Sequence, residues 1–306
     1  MIVYHKNNEI DHEQWDNCIS NSGCAKPYAY SWYLDIMSPG WEALVDDDYD
    51  SVFPIPSFIR FGLQYASTPP FLQQLGAFSP DKPDNQALVE FLDYMPEIYK
   101  LTDICIGQKI AYPGYKVTEK SNYELSLSAS YEKLYEYFTA ECRRYISNNS
   151  RKKYDITGNV SPEELVEVYT TNRLSNPKGV KARTYERLLN LMKYCIGKEN
   201  GRIIGVRTAR KKLVYGLFLI TLRKSVTIIL ETNTPASLTK HIGHFVVNEI
   251  IRDNASSAVV LDFAGTSDMA AIAMGKSFGA ARVPYYRIYR NRLFWPTRSM
   301  HICFAF

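Results

Sequence analysis

Three apolar runs in quick succession constrain this chain more than any other feature: "GRIIGVRTA", "LVYGLFLITL" and "SVTIILETN". Each is strand-length, and the charged turns Arg210-Lys211-Lys212 and Arg223-Lys224 separate them. The spacing predicts an antiparallel meander, because turns this short cannot make a crossover. Two helices precede it. "SPEELVEVYTTN" opens with a Ser161 cap, Pro162 at the first helical position and Glu164 three residues after the cap. "TYERLLNLMKYCI" is apolar at helical spacing and stops at Gly197. After the meander come a helix ("SLTKHIGHFVVNEIIRDN"), a strand ("AVVLDFAG"), a helix ("SDMAAIAMGKSFG") and a last strand ("RVPYYRIYR").

The first half repeats this order in a worn form. "DHEQWDNCIS" reads as a helix; "WEALVDD", "SVFPIPSFI" and the segment around "LQYASTPPFLQQLG" read as strands; a helix from Asp84 and strands "LTDICIG" and "NYELSLS" follow. The fold class expected is α/β with mixed α+β sheets, as two modules of like element order, 1–128 and 129–306. The join falls before the amphipathic helix "YEKLYEYFTAECRRYI".

Composition bounds the function classes. With 306 residues, 46% hydrophobic and 22% charged, the chain can bury a sizeable core, and a net charge of +4 is too small to argue for nucleic acid by itself. The first residues lack the basic-then-apolar pattern of a signal peptide, and the longest apolar run, about ten residues, is too short to span a bilayer. Six scattered cysteines without a C-x-x-C pair fit reduced thiols in a cytoplasmic protein. No G-x-S-x-G elbow, P-loop, G-x-G-x-x-G or H-E-x-x-H motif occurs. The 23 tyrosines fit half-buried strands or a wet binding groove.

The element order, with its first three strands antiparallel, resembles the GNAT N-acyltransferase fold. Two such modules in tandem resemble the Fem-type peptidyltransferases and the related polysaccharide-locus acyltransferase-like proteins. Three stretches carry the resemblance: "RRYISNNSRKKYDI", "ILETNTPASLTKHIGHFVVNEII" and "LDFAGTSDMAAIAMGKSFGA". It covers about 129–291; before that it rests mainly on "PPFLQQLGAFS". The resemblance implies transfer of an acyl or aminoacyl group to an amine, with acyl-CoA or aminoacyl-tRNA as donor and no metal. The alternative is a scaffold of the same fold that binds a glycan, peptide or protein partner without transfer.

Such chemistry needs a phosphate site, a polarised carbonyl and a route for the amine proton. The donor helix is expected to start near Ser237, where free N–H groups would hold phosphates. Lys240, His241 and Gly243 stand at the family's acyl-CoA signature, but Phe245 replaces its small last residue, and the loop "TNTPASLT" is not glycine-rich. His241 and His244 share a helix face as a surface pair; no third metal ligand stands at motif spacing. Asp262 and Glu231 are expected at adjoining strand ends, as acceptors of the amine proton; Asp262 could equally cap the following turn. Tyr286 could protonate the leaving group or simply pack in its strand. Lys276 could sit by the donor or serve the helix dipole. Gln73 and Gln74, flanked by apolar residues, and Ser267 are candidates for substrate contact. Arg143, Arg144, Arg151, Lys152 and Lys153, five cations in eleven residues, could meet a tRNA backbone or form a solvated helix end.

Overall fold

The computed structural model describes residues 1–46, 48–81, 84–150, 154–172, 180–264 and 269–293. The chain forms two compact units, one from 1–120 with 284–306 and one from 121–283.

The first unit holds β1 (Ile2–His5), α1 (His12–Asn21), α2 (Ser31–Met37), β2 (Glu42–Asp46), β3 (Ser51–Ile55), β4 (Ser57–Arg60), β5 (Leu63–Ser67), α3 (Asp84–Asp93) and β6 (Tyr99–Ile106). The antiparallel trio β1-β2-β3 makes one sheet. In the other, β4 pairs antiparallel with β5 and β5 runs parallel to β6. "SVFPIPSFI" is therefore not one strand: it breaks at Pro56, which has no N–H to continue a ladder, and its halves enter different sheets. Trp15, Tyr33, Trp41 and Phe53 are fully buried, with Trp15 and Trp41 packed edge-on at 4.7 Å.

β7 (Lys116–Ser126) leads into the second unit. There follow α4 (Tyr131–Glu136), α5 (Ala140–Ser150), β8 (Asp155–Thr157), α6 (Pro162–Thr171), α7 (Ala182–Gly197), β9 (Gly201–Arg207), β10 (Leu213–Leu222), β11 (Ser225–Asn233), α8 (Pro235–Thr239), α9 (Ile242–Asn254), β12 (Val260–Asp262), α10 (Met269–Ser277) and β13 (Ala281–Asn291). Its strands lie in the order β7-β12-β11-β10-β9-β8. The predicted meander is β9-β10-β11, antiparallel throughout, whereas β11 and β12 are parallel, as the helix between them requires. β13 crosses back at Pro284 and pairs antiparallel with β6 in the first unit.

Helices cover both faces of this mixed sheet. Val246, Val247, Ile250 and Ile251 of α9 join Tyr215, Leu217, Leu219, Val226 and Ile228 in one core. Burying those four side chains contributes roughly 6–12 kcal/mol before entropy is counted. On the opposite face Leu165 of α6 reaches so near Gly216 that a Cβ there would lie 2.4 Å from its Cδ1. Gly216 is the position in β10 that lets α6 approach.

Two helices expected to be continuous are broken. "YEKLYEYFTAECRRYI" divides into α4 and α5 because the chain between them seats the end of α10: Thr139 N–H donates to Ser277 O at 2.9 Å, and Gly279, at φ +72°, lies against Tyr137. The helix expected from Ser237 also divides. Thr234 caps α8, Pro235 opens it, and the chain turns at His241, which is left-handed at φ 51° and ψ 42°, before α9 begins.

Candidate functional site

The opening between β11 and β12 organises the second unit. Their ladder runs only from Ser225↔Val260 to Thr227↔Asp262, while β11 continues to Asn233 against β10. A bulge in the β10–β11 ladder at Phe218/Leu219 lies beside the point of parting, and bulges re-aim side chains. Beyond it Leu217 pairs with Glu231 and Tyr215 with Asn233.

The two predicted acids are not brought together. Asp262 lies opposite Thr227, and Glu231 stands four residues further along β11, roughly 13 Å of strand. Nor is Asp262 available to an amine. It is 1% exposed, and its Oδ1 accepts from Asn122 Nδ2 at 2.9 Å and from Ala264 N–H at 2.8 Å. The second bond spans two residues and fixes the turn, with Ala264 at φ 43°. This is the turn-holding alternative, with a partner from β7 that the sequence does not reveal.

Glu231 has the opposite surroundings. It is half-buried, its Oε1 accepts from Asn233 Nδ2 at 3.1 Å, and the start of α9 presses against it. A Cβ on Gly243 would meet Glu231 Oε1 at 2.9 Å, Met274 Cε at 3.0 Å and Tyr215 Cε2 at 3.1 Å. Gly243 thus admits a carboxylate, a methionine and a tyrosine to one spot. Burial, reinforced by the Glu231 carboxylate, raises the Tyr215 pKa well above its ordinary value and keeps its hydroxyl protonated. Tyr215 is missing from the sequence prediction; the signal that could have found it is Gly216, a glycine inside an apolar strand.

The N-terminal end of α9 is roofed by aromatic rings. Tyr145 of α5 stacks on His241 with centroids 3.6 Å apart and planes at 11°, and meets His244 edge-on at 5.1 Å. Asn149 Nδ2 donates to Lys240 O at 2.9 Å, and Tyr154 OH donates to Asn149 Oδ1 at 2.9 Å, so α5 fixes the turn before α9. Burial, with the neighbouring His241, pulls the His244 pKa down to about 4, and its Nδ1 is buried without a hydrogen-bond partner. Burial also lowers the His241 pKa.

The remaining predicted residues are spread over both units. Lys240 is exposed where α8 ends. Lys276 is exposed on α10, its Nζ 5.7 Å over the Tyr123 ring. Arg143 donates to Glu136 O at 3.3 Å, closing the end of α4, while Arg144 is 3.7 Å from Glu141 and lies 5.5 Å over the Tyr145 ring. Gln73 and Gln74 belong to the first unit and are 6% and 4% exposed, with Gln74 Nε2 3.5 Å from Gln73 Oε1. Tyr286 is a buried first-unit residue paired opposite Ile106. Ser267, Arg151, Lys152 and Lys153 lie outside the described residues. Among the described residues, no group of three or more His, Cys, Asp or Glu is placed to hold a metal, and no helix is long and apolar enough to cross a membrane.

No family model matches the chain, and no curated protein matches it in sequence. Solved structures do match in fold. FemX superposes with a TM-score of 0.63 at 11% identity, over 90% of this chain and 96% of its own. A conserved protein from Bacteroides thetaiotaomicron gives 0.57 at 12% identity, over 91% and 96%. L-PGS from Bacillus licheniformis gives 0.53 at 11% identity, over 94% of each chain. Identities this low speak to architecture alone. The parted parallel strands, the mixed sheet with helices on both faces and these superpositions give the chain the Fem-type, GNAT-like acyltransferase fold.

Proposed function

We propose that the protein is an N-acyltransferase that passes an acyl or aminoacyl group directly to an amine of a peptide, cell-wall precursor or sugar. The observation that carries this reading is the parting of β11 from β12 after Thr227↔Asp262, with Glu231 on the free stretch of β11. Strand edges that separate leave backbone N–H groups without a ladder partner, and such donors suit a carbonyl oxygen on which charge develops. The neutral amine attacks the acyl carbon, a C–N bond forms, and the bond to the donor's sulfur or oxygen breaks. The proton shed by the amine passes to the Glu231 carboxylate, directly or through water, and from there to the departing sulfur or oxygen, which leaves as thiol or hydroxyl. Tyr215, protonated and beside Glu231, positions that carboxylate. Asp262 has a structural role here: it holds the lip of the opening.

Two donor classes fit, and one observation favours the second. For acyl-CoA, the first N–H groups of α9 would hold the pyrophosphate. The ring stack of Tyr145 on His241, with the Arg144 guanidinium over Tyr145, instead offers the cation and aromatic surface on which nucleobases stack. That supports aminoacyl-tRNA.

The experiment titrates CoA, acetyl-CoA, a long-chain acyl-CoA and mixed aminoacyl-tRNA against thermal stability, then follows transfer of the radiolabelled group to an amine panel. A donor at a hundred times its Kd stabilises the fold by about 2.7 kcal/mol. The expected result is one saturable donor, with transfer lowered about 100-fold or more in Glu231→Gln at unchanged donor affinity. If no donor binds and none is consumed, the chain is a binding scaffold and the proposal fails.

A further inference from the structure

Of the three arginines on β13, Arg287 and Arg290 lie three residues apart, which the two-residue period of a strand places on opposite faces of the sheet. Arg287 has its anion. Its Nε donates to Asp103 Oδ1 at 2.5 Å and its Nη2 to Asp103 Oδ2 at 2.6 Å, the side-on bidentate grip that matches a carboxylate.

Arg290 has the same edge with nothing in it. Its Nε and Nη2 are both buried and have no hydrogen-bond partner. Across the ladder from Arg290 stands Thr102, where Arg287 has an acid within reach. Thr102 is fully buried, and among the described residues its Oγ1 meets no polar group but the Tyr115 hydroxyl. The Tyr115 ring lies against the guanidinium, 4.3 Å from Cζ to centroid; the residue is 8% exposed, and its buried hydroxyl is turned to Thr102. The acid whose charge acts on Arg290, Glu97, is exposed and lies 3.8 Å from Arg292. All these residues belong to the first unit.

Buried polar groups are nearly always paired, and a buried guanidinium without an acceptor is among the costliest exceptions. Here an arginine edge is left unpaired beside two buried hydroxyls that have only each other, a pattern that general core packing would remove. We propose that Arg290, Tyr115 and Thr102 form a binding site for the carboxylate or phosphate group of a ligand, gripped side-on by Arg290 as Arg287 grips Asp103. The site stands independently of acyl transfer in the second unit.

The test follows the arginine Nε–Hε resonances of the full-length chain by NMR during titration with sodium acetate and with sodium phosphate. Arg287 serves as the internal control, since its edge is already filled. A saturable shift at Arg290 but not at Arg287 is expected. Response to acetate alone assigns a carboxylate ligand, and response to phosphate alone a phosphorylated one. Arg290→Lys keeps the charge but loses the fork, and is expected to weaken binding at least tenfold. Tyr115→Phe and Thr102→Val are each expected to weaken it about two- to tenfold, and they carry the test if Arg290→Lys does not fold. Two results overturn the proposal: no saturable shift with either probe, or wild-type affinity in both hydroxyl variants.

Discussion

The two lips of the β11–β12 opening differ in how far their acids are buried. On the β12 side Asp262 is almost wholly buried, yet the Asn122 amide and the Ala264 N–H point at its Oδ1. On the β11 side Glu231 is half-buried, with the Asn233 amide at 3.1 Å and a buried tyrosine and the start of α9 against it, and His244 on the same helix has a buried, unpartnered Nδ1. Paired groups stabilise a fold; groups left poised are where chemistry becomes available. The contrast teaches that an acid at a strand mouth is not thereby a catalyst. Accessibility separates the two: Asp262 is walled in, while Glu231 is half-buried, and the proposed function therefore takes Glu231 as the proton acceptor.

Substitution should separate the two acids, and the larger effect is on rate. Glu231→Gln is expected to lower transfer on the order of 100-fold or more while changing unfolding free energy by less than about 1 kcal/mol. Asp262→Ala should do the reverse. It strands a buried amide and a buried N–H, so a loss of about 3 kcal/mol is expected in urea unfolding. A stable Asp262→Ala protein with no transfer would exchange the two roles.

How much of this was legible depends on how far away the partner sits. The β9-β10-β11 meander could be read directly, because continuous apolar runs bounded by charged turns specify strands locally. For Asp262 the sequence offers two roles and no means of choosing between them, since Asn122, which also binds its carboxylate, is 140 residues away in the chain. The start of α9 was misread for the same reason. His241 takes a left-handed conformation that costs an L-residue about 1 kcal/mol, and it is held there by Tyr145 and Asn149 on α5, some ninety residues earlier. Arg143, which looked like one cation in a basic run, closes α4 by donating to a backbone carbonyl. Gly243 was noticed, but for a phosphate; its missing side chain makes room for Glu231, Met274 and Tyr215.

The same lip should respond to pH. His244 titrates near 4 in the folded protein and near 6.5 when unfolded, so between those values the unfolded chain binds more protons. Stability therefore falls as pH drops from about 6.5 to about 4 and levels off below, with a total on the order of 2–3 kcal/mol from this residue. Urea midpoints across that range measure it. His244→Phe keeps an aromatic ring against Tyr145 and should flatten the slope. An unchanged slope would place the burden on another group.

Gly243→Ala makes the smallest and most local change to the β11 lip. The added methyl would lie 2.9 Å from Glu231 Oε1 and 3.0 Å from Met274 Cε, flexible ends that can move aside, and 3.1 Å from a ring carbon of the fully buried Tyr215, a milder overlap that the methyl itself must absorb. Overpacking costs about 1–2 kcal/mol, and replacing a helical glycine by alanine returns about 0.5–1 kcal/mol, so a net loss of about 1 kcal/mol or less is expected. Transfer should suffer more than stability, by roughly tenfold, because the carboxylate that yields is the proposed proton acceptor. Combining it with Glu231→Gln sharpens the inference: if the methyl acts by displacing Glu231, it should cost almost nothing further once the carboxylate is gone. Additive losses would mean that Gly243 serves the donor through its own backbone.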